Sequence, residues 1–168
     1  MTTPWPGFSD AHTLVLPLHD APPGAPLDID GRRFAPKDEL HVTLIGSALG
    51  RELHAALGNR REAAVRPAFE ALDWSPVRTG VGAVIEKRGR RDDGGAGLVA
   101  SMIEFVDLPA LAFFSRWLGG LLGRQLPVPP PHVTLYTHGC AKGIGIPTEA
   151  KLRAWRRGEI DLRALLPG

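Results

Sequence analysis

Two segments of this chain read His-Val-Thr-Leu: His41-Val42-Thr43-Leu44 and His132-Val133-Thr134-Leu135. Each alternates a polar with an apolar residue, the period-two pattern of a strand that buries one face. His41 and Thr43 therefore share a face, with Leu40, Val42 and Leu44 on the other; His132 and Thr134 likewise oppose Val133 and Leu135. In a chain with six histidines, chance would repeat the three following residues in only about half a per cent of sequences of average composition. The fold must supply two matched strands, each with an imidazole and a hydroxyl on its polar side.

The elements around these strands follow from periodicity and punctuation. Pro/Gly-rich stretches from Ala21 to Pro26, Arg88 to Gly97 and Pro127 to Pro131 read as loops. Thr13–Leu18 reads as a strand that Pro17 confines to an edge or terminus, and Glu39–Ile45 as the first motif strand. Leu49, Leu53, Ala56 and Leu57 keep helical spacing up to a stop at Gly58. Val65, Phe69 and Leu72 continue it, with Pro67 imposing a kink or a fresh start. Val77–Lys87 and Leu98–Val106 form an antiparallel hairpin with a long tip. A helix capped by Asp107 runs through Leu111, Phe114 and Leu118 to about Gly123, and the Pro129-Pro130-Pro131 run delivers an extended segment into the second motif. Thr148 caps a last, basic helix. The order of strand, motif strand, helix, then hairpin, helix, motif strand predicts one α+β domain over residues 1–168, made of two similar lobes.

Composition narrows the class. At 168 residues, with 43% hydrophobic and 23% charged, the chain can bury a core as one domain. No apolar run reaches the length of a membrane span, and the N-terminus lacks the pattern of a signal peptide, so a cytoplasmic protein is expected. Cys140 is the only cysteine, which excludes an intrachain disulfide and a paired-cysteine metal site. A formal charge of +2 does not demand nucleic acid, although a pI near 9.0 suits an anionic ligand.

Two imidazoles and two hydroxyls facing one groove suit attack on a phosphodiester. A neutral imidazole can take a proton from water or a hydroxyl, and a protonated one can supply the leaving alkoxide. The threonine hydroxyls can donate to non-bridging phosphate oxygens. This chemistry needs neither metal nor cofactor.

The paired motifs, the approach Phe34-Ala35-Pro36-Lys37-Asp38-Glu39-Leu40 into the first, and the Pro131-His132-Val133-Thr134-Leu135 form of the second resemble the two-histidine (2H) phosphoesterase superfamily, including bacterial 2′-5′ RNA ligase/cyclic phosphodiesterase-like proteins. The resemblance implies a bilobal, pseudo-twofold α+β fold with two antiparallel sheets around a central groove and helices outside. It also implies metal-independent cleavage of 2′,3′-cyclic phosphate ends of RNA or small nucleotides by a monomer. By position, His41 and His132 would be the catalytic pair, and Thr43 and Thr134 the phosphate ligands; which histidine is acid and which base stays open. Cyclic oligonucleotide signals and 2′,5′-linked oligonucleotides are alternative substrates of the same chemistry, and a nucleotide-binding module without turnover is the non-enzymatic alternative.

Other residues compete for roles. Tyr136 would share the face of His132 and Thr134, where it could stack on a base or pack at a sheet rim. His138 would join that face if the strand lasts, or sit in a loop. Lys142, among Gly139, Gly143 and Gly145, could reach a substrate phosphate or mark a solvated turn. The run Lys87-Arg88-Gly89-Arg90-Arg91, offset by Asp92 and Asp93, reads as a solvated hairpin tip. His12 and His19 match no metal-ligand spacing. Trp117 and Trp155 are expected in the core, and Cys140 is expected to be inert.

Overall fold

In the computed structural model, which describes residues 2–166, the chain is α+β. Its first half runs β1 (Leu14–Leu18), β2 (Leu27–Ile29), β3 (Arg32–Pro36), β4 (Leu40–Ile45), α1 (Ser47–Leu57) and α2 (Arg61–Glu70). The second runs β5 (Val77–Arg90), β6 (Ala96–Asp107), α3 (Ala110–Leu122), β7 (His132–His138), α4 (Glu149–Trp155), β8 (Arg156–Asp161) and the single turn α5 (Leu162–Leu165). Gly123 ends α3 in the left-handed region at φ 68°, a conformation that only glycine adopts without steric cost. Thr148 caps α4 by accepting from the Lys151 amide at 3.1 Å. The Asp107 cap is not observed: that residue ends β6, and Pro109, whose ring holds φ at −58°, starts α3 without a side-chain cap.

The expected pair of sheets is drawn into one antiparallel sheet in the order β1-β4-β7-β6-β5-β8, with the β2–β3 hairpin joined through β3 to β7. β1 is an edge strand, as Pro17 requires. The β5–β6 hairpin is longer than its sequence suggests, pairing out to Arg90 and Ala96, because the Arg88–Gly97 stretch closes by backbone bonds from Arg91 N to Gly95 O and from Gly94 N to Arg91 O. The junction of the two halves is narrow. β4 meets β7 through the single pair Val42↔Val133, while β3 takes the other end of the same β7 edge through Ala35↔Thr137 and Pro36↔Tyr136.

The sheet divides two apolar cores. On one side α1, α2 and α3 pack Leu53, Phe69, Leu111 and Phe114 onto Val42, Leu44, Val133 and Leu135. Trp74 and Phe69 stack within this core with centroids 5.1 Å apart. On the other side the segment after β7, with α4, lays Ile144, Ile146 and Leu152 over Ala83, Ile85, Val99 and Ile103. Burial of each such aliphatic side chain is worth roughly 1.5–3 kcal/mol, so the smaller core can hold an irregular segment in place. Trp117 departs from the core expectation: it is 50% exposed on α3, with its indole N–H donating to Ala64 O at 3.2 Å.

Candidate active site

Val42 and Val133, paired across the junction, are 1% and 0% exposed in the helix-side core. The residues flanking them therefore project from the opposite face of the sheet. Continued by one residue in each direction, the register sets His41 across from Thr134 and Thr43 across from His132. Two His/Thr pairs result, related by a local twofold through the valine pair. Cross-strand neighbours of this kind hold their Cβ atoms about 4.5–5.5 Å apart. All four side chains are half-buried, and burial, with a smaller contribution from a charge on His41, disfavours protonation of His132.

Neighbouring strands extend the two rows. Pro17 lies opposite His41 and Val15 opposite Thr43 on β1; Ile103 lies opposite Thr134 and Phe105 opposite His132 on β6. None of the four motif residues belongs to the second core; on this face they lie between Val15 and Pro17 of β1 and Ile103 and Phe105 of β6, and Ile103 is a member of that core.

The two imidazoles differ in support. His132 Nδ1 lies 2.8 Å from Pro130 O; a carbonyl can only accept, so Nδ1 carries a proton and Nε2 is left for the groove. Burial is the main cause that lowers the His132 pKa from its ordinary value, the Pro130 bond opposing and His41 adding to the fall. For His41, burial again lowers the pKa, with the Lys37 ammonium next and Glu39 opposing. Both histidines are thus biased towards the neutral form.

Lys37 also straps the site together: its amide donates to Leu135 O and its ammonium to Ala141 O, both at 2.9 Å. The segment 139–146 folds back over the second motif. Gly143, at φ 84°, sits where a Cβ would lie 3.5 Å from both Ser101 Oγ and Thr134 Cγ2 and 3.6 Å from Thr137 Cγ2. Ser101 Oγ anchors the segment by accepting from the Ile144 amide at 3.1 Å.

Two expectations change at the far end of β7. Met102 pairs with Tyr136 and Ile103 with Thr134, so Leu135 is an extra residue in β7, a bulge that shifts the alternation by one. Tyr136 therefore turns into the helix-side core at 1% exposure and offers no ring to a ligand; burial raises its phenol pKa. His138 remains in the strand yet follows Tyr136, its Nδ1 donating to Arg33 O at 2.9 Å beside the Phe34 ring. Thr137 takes the groove face instead, opposite Ala35 and Ser101. A cleft of ≈ 300 Å³ opens there, lined in part by Arg33, Arg91, Asp92 and Thr137.

The remaining candidates lie apart from the pair. Lys142 is exposed at the turn before Gly143. His12 Nδ1 accepts from Arg61 at 3.0 Å, and its ring is 5.2 Å from that of His54. Among the described residues no group of three or more His, Cys, Asp or Glu side chains is placed to hold a metal ion, and no helix is long and apolar enough to cross a membrane. Lys37 and Phe105 were invisible as site residues in the sequence: Lys37 precedes the first motif outside its alternation, and Phe105 reaches His132 only through strand register. No family model, curated protein or solved structure matches this chain.

Proposed function

We propose that the protein is a metal-independent phosphodiesterase of the two-histidine type that hydrolyses 2′,3′-cyclic phosphates on small nucleotides or RNA ends. The carrying observation is the Val42↔Val133 pair at the junction, whose register, continued by one residue each way, faces each motif histidine with the other motif's threonine. In this reading the strands on the β1–β4 side and those on the β7–β6 side are the two lobes, and the phosphate lies on the local twofold between them.

We assign the roles from the differing support of the imidazoles. His132, neutral and with Nε2 free, accepts a proton from the attacking water as the water oxygen bonds to phosphorus. The bond from phosphorus to one ribose oxygen breaks, and that oxygen takes its proton from His41. The second ester bond stays, leaving a nucleoside monophosphate; exchange with solvent then resets both histidines. The anionic phosphate favours the protonated form of His41 on binding and so offsets the bias set by burial and Lys37. Thr43 and Thr134 donate to the non-bridging oxygens as charge builds.

A substrate panel in chelator tests this reading, with 2′,3′-cyclic mononucleotides, RNA with a cyclic phosphate end, 2′,5′-linked dinucleotides and a cyclic dinucleotide as arms. The expected result is a phosphomonoester formed from the cyclic mononucleotides at a rate indifferent to chelator. Chelator-sensitive hydrolysis would overturn the mechanism. Stoichiometric binding with every nucleotide recovered unchanged would make the protein a binding module instead.

A further inference from the structure

We infer that Phe105 is the platform on which the substrate's nucleobase stacks, immediately beside His132. The inference rests on the phosphodiesterase reading for the position of the phosphate, but its evidence is separate. Phe105 is the ladder partner of His132 on β6, so the ring and the imidazole leave the sheet side by side on one face. The strand spacing of about 4.8 Å puts a phosphate centred over the β4–β7 junction roughly one and a half spacings, ~7 Å, from the Phe105 row. That is the separation a ribose sets between its phosphate and its base.

The two ends of this row are unlike. On the β1 side the neighbours of Thr43 and His41 are Val15 and Pro17, which offer no π face. On the β6 side stands half-buried Phe105, packed against the second core, its carbonyl accepting from Thr79 Oγ1 at 2.7 Å. A ring held by its backbone and by core packing loses little freedom when a base settles on its face. That face already attracts a planar cation: the Arg156 guanidinium carbon lies 5.4 Å from the ring centroid. This spacing leaves no room for a base, so Arg156 must step outwards. Its ion pair with Glu159, 2.9 Å long and exposed, is of the kind that holds weakly. Arg156 then covers the outer face of the bound base, since guanidinium planes and aromatic rings both stack on bases. Tyr136, the aromatic that follows the second motif on β7, is enclosed in the opposite core.

The test separates the base from the phosphate. Binding of adenosine 2′-phosphate and of methyl riboside 2′-phosphate, which lacks a base, is measured by calorimetry on wild type, Phe105→Ala, Phe105→Leu and Phe105→Trp, each checked by thermal melting. Loss of one stacking contact, roughly 1–3 kcal/mol, corresponds to a weakening of about 5- to 150-fold. Phe105→Leu, which keeps the apolar packing, is expected to weaken adenosine 2′-phosphate by that factor and leave the base-free ligand within about twofold. Phe105→Trp retains or improves the affinity. Equal losses on both ligands, no loss on either, or failure of folded wild type to bind adenosine 2′-phosphate each overturns the assignment. Phe105-dependent binding without hydrolysis of any cyclic phosphate keeps the platform and removes the enzymatic reading; hydrolysis indifferent to Phe105→Leu does the reverse.

Discussion

Strands β4 and β7 carry the same tetrapeptide, yet the molecule holds them differently. β7 is clasped along one edge by β6 and shares its other edge between β3 and β4. β4 leans on the edge strand β1 and touches β7 at one pair only. The imidazole on the clasped strand has its tautomer fixed by Pro130 O; the one on the leaning strand has Lys37 and Glu39 as charged neighbours. Identical residues thus acquire unequal chemistry from what surrounds them. In the proposed mechanism a local twofold in the motif positions coexists with a base on one side and an acid on the other.

The largest expected effect breaks the pair itself. His132→Ala and His41→Ala should each lower kcat by about 10²–10⁴-fold while melting stays close to wild type. The residual activity should then tell the strands apart. In wild type both pKa values lie below the ordinary 6.5 of histidine, so both limbs of the kcat/KM profile fall on the acid side of that value. His132→Ala should lose the acid limb and His41→Ala the alkaline one. The opposite assignment of limbs would reverse the roles.

Next comes the contrast between the two faces of one strand. Leu135→Ala, at a site 0% exposed, should cost about 2–5 kcal/mol of unfolding free energy, read by denaturant titration, with the remaining folded protein still active. Thr134→Val should do the reverse, lowering kcat by about 10²-fold if its hydroxyl stabilises developing charge and leaving the midpoint nearly unchanged. If Thr134→Val costs stability and not rate, the hydroxyl is structural.

The smallest effect concerns proton linkage. A histidine whose folded pKa is below its unfolded one binds fewer protons when folded, so stability falls as pH drops below about 6.5 towards the folded pKa. The melting temperature of wild type should decline over that window, and less so in His132→Gln. Lys37→Met should raise the His41 pKa, followed by NMR titration, with His132 little altered. A shift confined to His132 would show that Lys37 acts on the other strand.

Much of this was legible in advance because alternation is a local property. Val42, Leu44, Val133 and Leu135 are core residues for the reason their spacing suggests, and the Thr148 cap and Gly123 stop follow from side-chain chemistry alone. Register is not local. Nothing near Phe105 says that it will lie beside His132, and nothing near Lys37 says that its ammonium will reach Ala141 O. Tyr136 departs from the period-two rule because the extra residue at Leu135 suspends the alternation. The union of all strands in one sheet depends on a single residue pair that composition and periodicity cannot express.

That extra residue acts on β7 as a frameshift acts on a message. Upstream of Leu135 the even-numbered residues face the groove; downstream the odd-numbered ones do, so Thr134 and Thr137 fall in one frame. Deleting one residue between them would remove the bulge and leave the two threonines two positions apart on one face, whereas an insertion there would turn either the motif or the tail over to the wrong side. Insertions anywhere in β7, and deletions away from the bulge, should therefore be far less forgiving than substitutions, while loss of the extra residue itself should be the one deletion the strand absorbs.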